Sequence, residues 1–320
     1  MDRPGSVARL RAHLAGFATA RLPETPQWCV ALSGGPDSLA LTAAAVAVMP
    51  TTALIVDHGL QAGSAQVAAA AREQALAIGC ADARVLRVDV GSHGGPEAAA
   101  RTARYTALAA ARDGTPVLLG HTLDDQAETV LLGLGRGSGP RSIAGMRACD
   151  PPWYRPLLDV RREVTHAACV ELGLSPWADP HNNDRRFTRV RLRHEVLPLL
   201  EEALGGGVVV ALARTAAALR EDTDALDGLA EEHLRAARSG DGLAIAAVRG
   251  LPAALRRRVL RGWLLSGGAS GLTDVQIRAV DALVTDWRGQ GGAAVGSAVP
   301  LTRLFAERVG AALTLRSEPV

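Results

Sequence analysis

The chain contains no lysine: all 35 of the basic Lys/Arg positions among its 320 residues are arginine. That excludes a lysine Schiff base, a pyridoxal-phosphate anchor and the lysine of a Walker-A phosphate loop. Cysteine is scarce, at positions 29, 80, 149 and 169. No two form a C-x-x-C pair, so neither a zinc knuckle nor a thioredoxin-like motif is present, and all four are expected as small buried hydrophobes. Aromatic residues make up only 3%, which leaves little for base stacking, and Trp153, Trp177, Trp263 and Trp287 are expected in the core. The longest largely apolar stretch, 39–49, ends at Pro50, well short of the ~20 residues of a membrane span. The first residues lack the apolar core of a secretion signal. A cytoplasmic protein without a membrane partner is therefore expected.

What is present fits a globular chain, with 48% hydrophobic and 21% charged residues. Its length suggests two domains. The net charge of +2 hides segregation. Residues 136–193 carry eleven arginines against six acids, 201–250 nine acids against five arginines, and 251–320 nine arginines against five acids. Basic segments beside an acidic pocket suggest a polyanionic partner.

Short β-forming runs at 27–32, 51–56, 84–90 and 116–120 alternate with helical patterns at 39–49, 63–79, 96–112 and from 124 to about 133–135. An Ala-rich helix is expected over 1–20. Strands alternating with helices predict an α/β fold with a doubly wound parallel sheet, in which ligands sit beyond the carboxyl ends of the strands. The polar clusters at 33–38, 57–58 and 121–128 all fall at such ends, which points to one site built from three loops. Helix is expected again over 186–204. Gly205-Gly206-Gly207 marks a break, placing a domain boundary at 206/207. Beyond it a long connecting helix is expected over 208–238, helices near 253–265 and 273–287, and β-segments near 293–305 and 309–316. The second domain, 207–320, thus reads as smaller and mostly helical (α+β).

Ser33-Gly34-Gly35-Pro36-Asp37-Ser38 is the strongest chemical signal. Glycines let backbone N–H groups turn inward toward a phosphate, two hydroxyls add donors, and the following helix offers its positive end. Asp37 cannot meet a phosphate directly and requires a bridging Mg²⁺. The second signal is His121-Thr122-Leu123-Asp124-Asp125-Gln126-Ala127-Glu128. Asp124 fits a helix N-cap. Asp125 and Glu128, spaced i, i+3, share one face, with His121 at the strand end before them. Such an acid pair can hold a metal ion or a substrate ammonium, and either carboxylate or His121 could take a proton from it. On their own, Arg101 and Arg104 read as a solvated helix face. The arginines at 256, 257, 258 and 261 are evenly balanced between an RNA grip and a solvated face.

The S-G-G-x-D-S sequence after a first strand resembles the PP-loop of the ATP pyrophosphatases. Val56-Asp57-His58-Gly59-Leu60, Ala100-Arg101-x-x-Arg104-Tyr105, G-H-x-x-D-D-Q-A-E-T, Arg155-Pro156-Leu157-Leu158 and Asp179-x-x-Asn182-x-Asp184-x-x-Phe187-x-Arg189-x-Arg191-x-Arg193 narrow the likeness to the tRNA(Ile)-lysidine synthetase family, over about 27–200. Two positions depart from that pattern: His181 stands where the family usually has serine, and Val190 where it has asparagine.

The resemblance implies that ATP adenylates the C2 oxygen of the wobble cytidine in the CAU anticodon of tRNA(Ile). Free L-lysine then displaces AMP. It further implies that Ser33, Gly34, Gly35, Pro36, Asp37 and Ser38 hold the phosphates and Mg²⁺, and that Asp57 and His58 lie near the nucleotide. Arg104, with Arg101 as alternative, would neutralise phosphate charge. Asp125 and Glu128 would bind metal, alongside Asp37, or the lysine ammonium, with His121 near the reacting atoms. Arg189 would orient cytidine or the lysine carboxylate. Residues 1–206 would be catalytic and 207–320 would bind tRNA; a homodimer is one option for assembly. Another PP-loop tRNA-modifying or amide-forming enzyme, and a non-catalytic RNA-binding protein on the same scaffold, are the alternatives.

Overall fold

The computed structural model describes residues 5–59, 63–91, 95–137 and 139–320. Leu60 and the first four residues of the expected amino-terminal helix lie outside them. Helix α1 (Ser6–Arg21) leads into β1 (Trp28–Ala31), α2 (Pro36–Val46), β2 (Thr51–Asp57), α3 (Ser64–Ile78), β3 (Asp82–Arg87), α4 (Pro96–Ala111), β4 (Val117–Leu119) and α5 (Leu123–Gly135). The expected alternation is met element by element. A one-turn α6 (Pro140–Ile143), a short β5 (Cys149–Asp150) and β6 (Trp153–Tyr154), and α7 (Arg162–Glu171) follow; the sequence pattern did not announce these.

Among the described residues this part forms a six-stranded sheet of order β3-β2-β1-β4-β6-β5, parallel except for the last pair. Period-two alternation sorts the side chains to its two faces. Trp28, Val30, Ala53, Ile55 and Leu118 pack with residues of α1, α2, α3 and α7. Cys29, Ala31, Leu54, Val117 and Leu119 meet Leu108 and Tyr105 of α4. Helix α2 is buried over eight consecutive residues, 38–45, which is why its sequence is an unbroken run of small and aliphatic side chains. Removing Leu39 or Leu41 from water contributes about 1.5–3 kcal/mol each. The chain order runs outward through β2 and β3, then returns to β4 on the other side of β1. The loops after β1 and β4 therefore diverge, leaving a crevice at their carboxyl ends.

The expected helix over 186–204 is divided into α8 (Thr188–Arg191), a π-helical turn at Leu192–Val196 and α9 (Leu197–Ala203). Gly205, Gly206 and Gly207 all have left-handed φ, and α10 (Val208–Ala237) starts next. The Glu201 carboxylate accepts the N–H groups of Val208 and Val209, both at 3.0 Å, satisfying donors that a helix start leaves open. Contacts divide the chain into Met1–Ala216 and Ala217–Val320.

The second unit contains β7 (Arg238–Ser239), β8 (Gly242–Ala244), α11 (Ile245–Arg249), α12 (Ala253–Ser266), α13 (Asp274–Thr285), β9 (Ala293–Val295), β10 (Thr302–Val309) and β11 (Ala312–Pro319). Its described strands form an antiparallel sheet, β7-β8-β11-β10-β9, whose buried residues Leu304, Ala306 and Leu313 join a core with Trp263, Leu264 and Val280. The basic stretch on α12 is internal bracing. Arg256 donates to Asp281 at 2.5 Å and to the Leu251 carbonyl at 2.6 Å, Arg257 donates to Asp281 at 2.9 Å, and Arg258 to Asp227 at 2.9 Å. Arg256, Arg257 and Arg258 thus have intramolecular partners, a use that neither sequence-based alternative anticipated. Among the described residues no single helix is long and apolar enough to cross a membrane.

Candidate active site

The chain leaves β1 and turns sharply at Gly34, whose φ of 84° is a conformation that side chains disfavour. The Gly34 carbonyl accepts the Trp177 N–H at 2.9 Å. Pro36 opens α2 as its first residue, where a missing N–H costs nothing. The Ser38 hydroxyl donates to the Gly35 carbonyl at 2.9 Å and accepts the Ser33 N–H at 3.2 Å. Ser33 and Ser38 hydroxyls lie 3.1 Å apart. Gly120, at the end of β4, passes so close that a Cβ there would stand 3.1 Å from the Ser38 backbone. The loop is thus pressed against the strand that brings in His121.

Beyond the ends of β1 and β2 opens a cavity of about 300 Å³. Leu32, Ile55, Val67 and Ala68 give it an apolar wall, with Ser33, Asp57, His58, Arg104, Trp177 and His181 around it. Its size and wall suit a purine nucleoside whose phosphates reach the glycine loop. The Ser64 hydroxyl and the Gly59 N–H hold the Asp57 carboxyl below its ordinary range. Burial, with Arg104 nearby, lowers His58. Arg104 lines this cavity, whereas Arg101 stacks on Tyr105, 5.0 Å from the ring centroid. His181 meets Phe187 edge-on, and Val190 is buried.

Across the β1/β4 crevice, Thr122 rather than Asp124 caps α5. Its side chain accepts the Asp125 N–H, and Asp125 Oδ2 accepts the Thr122 N–H at 2.8 Å and its hydroxyl at 2.9 Å. This capping box fixes the Asp125 rotamer. Asp124 instead accepts from the Arg161 side chain at 3.2 Å and the Arg162 N–H at 2.8 Å. Glu128 is only 1% exposed, a burial that requires paired charge. Arg162 donates to Asp125 Oδ1 at 2.6 Å, to Glu128 Oε1 at 3.3 Å and to Asp37 Oδ2 at 3.4 Å. Arg193 donates to Glu128 Oε1 at 2.8 Å and to Asp125 Oδ1 at 3.5 Å. The Thr165 hydroxyl donates to Asp37 Oδ1.

Burial raises the Asp37 carboxyl, against the opposing pull of Thr165 and Arg162. Burial also raises Asp125, but Arg162, the Thr122 donors and His121 outweigh it, leaving Asp125 below its ordinary value. His121 is pushed down to about 4 by burial, with Asp125 opposing and Arg104 reinforcing the shift. Its Nδ1 is buried without a hydrogen-bond partner among the described residues. It is therefore a neutral imidazole at pH 7 with one nitrogen uncommitted.

The arginine-rich segment splits by direction. Arg193 faces the acids and Arg189 stands 4.0 Å from Glu128. Arg185, Arg186 and Arg191 are exposed beside Glu195 and Asp184. For a metal ion the donor chemistry divides the expected ligands. Asp37 is partly exposed at the phosphate loop and fits a hydrated Mg²⁺ carried by phosphates. Asp125 and Glu128 are arranged about two guanidinium groups instead, and among the described residues no three His, Cys, Asp or Glu side chains form a metal-binding group.

Arg162 and Thr165 were not legible as site residues. Both lie on α7, more than thirty positions from the acids they touch, and the only signal is a basic pair, Arg161-Arg162, just after the R-P-L-L segment.

A glycine phosphate loop without lysine, opening a buried helix beside an acid pair, defines a PP-loop ATP-binding domain. Residues 8–200 match the family model described as "PP-loop domain", and 243–309 match the "TilS substrate binding domain". The chain is 69% identical to the tRNA(Ile)-lysidine synthase of Mycolicibacterium paratuberculosis over 320 residues, covering all of both chains. It is 67% identical to that of Mycobacterium bovis, again over the whole of both. With that of Rhodococcus erythropolis it shares 65% over 280 residues, 87% of this chain and 86% of the relative. The chain belongs to the tRNA(Ile)-lysidine synthase family. Among solved structures the U34-tRNA thiolase NcsA from Methanococcus maripaludis has the same fold, with a TM-score of 0.55 at 15% identity over 68% of this chain and 80% of that one. Burial raises Cys29 and Cys149 and pushes Cys80 and Cys169 up to about 11, so the thiols are poor nucleophiles.

Proposed function

We propose that this protein uses ATP to join the side-chain amine of free lysine to C2 of the wobble cytidine in the CAU anticodon of tRNA(Ile). The C2 oxygen attacks the α-phosphorus and diphosphate leaves. The lysine amine then attacks C2, and AMP leaves with the former C2 oxygen. Binding of tRNA beyond the anticodon is assigned to residues 207–320 and the catalytic steps to 1–206.

The observation that supports this best is the juxtaposition across one crevice of a lysine-free phosphate loop with an acid pair, its Glu128 buried, and a neutral imidazole. N–H groups of the 33–38 loop and the hydroxyls of Ser33 and Ser38 face the phosphates. Leu32, Ile55, Val67 and Ala68 enclose the adenosine, with Asp57 and His58 at its edge and Arg104 countering phosphate charge. Asp37 would hold a single Mg²⁺, which supplies charge neutralisation of the diphosphate when bound. Asp125 and Glu128 receive the lysine ammonium, and Arg189 orients the cytidine or the lysine carboxylate. An ammonium must lose a proton before it can attack. His121 suits that transfer: it is neutral and has a buried, uncommitted Nδ1.

The test is mass analysis of tRNA(Ile) after incubation with ATP and lysine, with methionine tRNA as control and the nucleotide products identified. Lysine incorporation with AMP and diphosphate is expected. Products of ADP and orthophosphate would sink the reading, and AMP without lysine in the tRNA would point to another PP-loop modification.

A further inference from the structure

Arg162 is the first residue of α7 and is held from its own backbone, since its N–H donates to Asp124 at 2.8 Å. Its side chain is 15% exposed and reaches in two directions at once. Nε donates to Asp37 in the phosphate loop, while Nη2 and Nη1 donate to Asp125 and Glu128 on α5. Of the two halves of the site, Arg193 meets the acid pair, and Thr165 meets Asp37 while its hydroxyl also reaches the Arg162 carbonyl at 2.7 Å. Among the described residues, Arg162 is thus the side chain hydrogen-bonded to both halves of the site.

A guanidinium is a rigid planar fork. Whatever engages Asp37 competes with Nε for Oδ2, and the fork cannot release one end without tilting the other. In the present arrangement Asp125 has both oxygens committed, Oδ2 to Thr122 and Oδ1 to Arg162 and Arg193, so an arriving ammonium finds no open acceptor on it. We infer that Arg162 is a positioning residue that couples the two substrate sites: occupation of the phosphate loop loosens its grip on Asp125 and Glu128 and opens them to the lysine ammonium. This rests on the function proposed above. The coupling is reciprocal, so lysine tightens nucleotide binding by the same factor.

The experiment measures equilibrium binding of lysine to the full chain, with and without an ATP analogue whose α–β bridge cannot be cleaved. For the unaltered protein the analogue should tighten lysine binding within the range of about 5–150-fold common for linked sites. In Arg162→Met the acids lose their competitor. Lysine should then bind without the analogue about as tightly as the unaltered protein binds it with the analogue, and the response should fall to about onefold. A merely structural residue would instead weaken lysine binding in both conditions and leave the ratio intact, which would overturn the inference. Arg162→Lys keeps the charge but loses the fork. If thermal melts show that the methionine variant does not fold, loss of the ratio in the lysine variant supports the coupling and its persistence overturns it. An unaltered protein that makes lysidine yet shows no ratio defeats the coupling alone. One that makes no lysidine defeats the functional reading, and the coupling with it.

Discussion

Asp37, His121, Asp125 and Glu128 sit in different surroundings although they meet in one crevice. Asp37 keeps an exposed edge and carries a raised pKa, the profile of a carboxylate waiting for a cation. Asp37→Ala should reduce AMP formation by about 10²-fold or more, by the scale of lost transition-state charge stabilisation, while tRNA retention on filters stays near normal. Unreduced AMP formation would take Asp37 out of the mechanism. His121 makes a prediction about stability. Its folded-state pKa of about 4 lies below the ~6.5 of an unfolded histidine. Between those values the unfolded chain binds the extra proton, so stability falls as pH drops from 6.5 toward 4, by about 3 kcal/mol at most. Denaturant midpoints of His121→Gln should therefore decline less over that interval than those of the unaltered chain; parallel declines would disprove the assignment. These acids were readable from the sequence because they sit in short motifs. Arg162 was not, because nothing local ties it to carboxylates on two other helices.

Among the elements, the strands and helices of 27–135 were readable because each strand holds a short β-forming run, wholly apolar in β1 and β4 and mixed with charge in β3, and each intervening helix is punctuated by glycine or proline. The two-residue strands β5 and β6 and the single-turn α6 are too short to produce a period. Charge runs misled for a different reason. The arginines of α12 read in sequence equally as an RNA grip or a solvated face, yet Arg256 is buried against Asp281, which is itself 4% exposed. Removing one partner of a buried pair leaves an uncompensated charge, and Asp281→Ala would strand both Arg256 and Arg257. A loss of about 3–5 kcal/mol is expected, measured by chemical denaturation and followed through the neighbouring Trp263. A loss below about 1 kcal/mol would reduce the brace to a surface ion pair.

For the whole molecule, the boundary expected at 206/207 and the division by contacts after Ala216 lie ten residues apart, because α10 runs uninterrupted through residue 216. The sequence also showed an arginine surplus over 136–193 without distinguishing arginines that serve the site from those that face solvent. Arg193 serves the acids, so only the exposed set bears on a polyanion. Replacing Arg185, Arg186 and Arg191 together by glutamine should weaken tRNA binding. It should also shallow the slope of log affinity against log salt by about 2–3, close to one counterion per lost phosphate contact. An unchanged slope would mean these side chains are simply solvated.

The burial of the thiols has a practical corollary when joined to the composition. Three of the four cysteines lie inside the fold and the fourth is half covered, and no residue supplies an ε-amine. Alkylating and acylating reagents therefore find few side chains to label on this protein. An amine-directed fluorophore would find no lysine side chain on this protein to label, so amines elsewhere in a mixture could be tagged with little background from the chain.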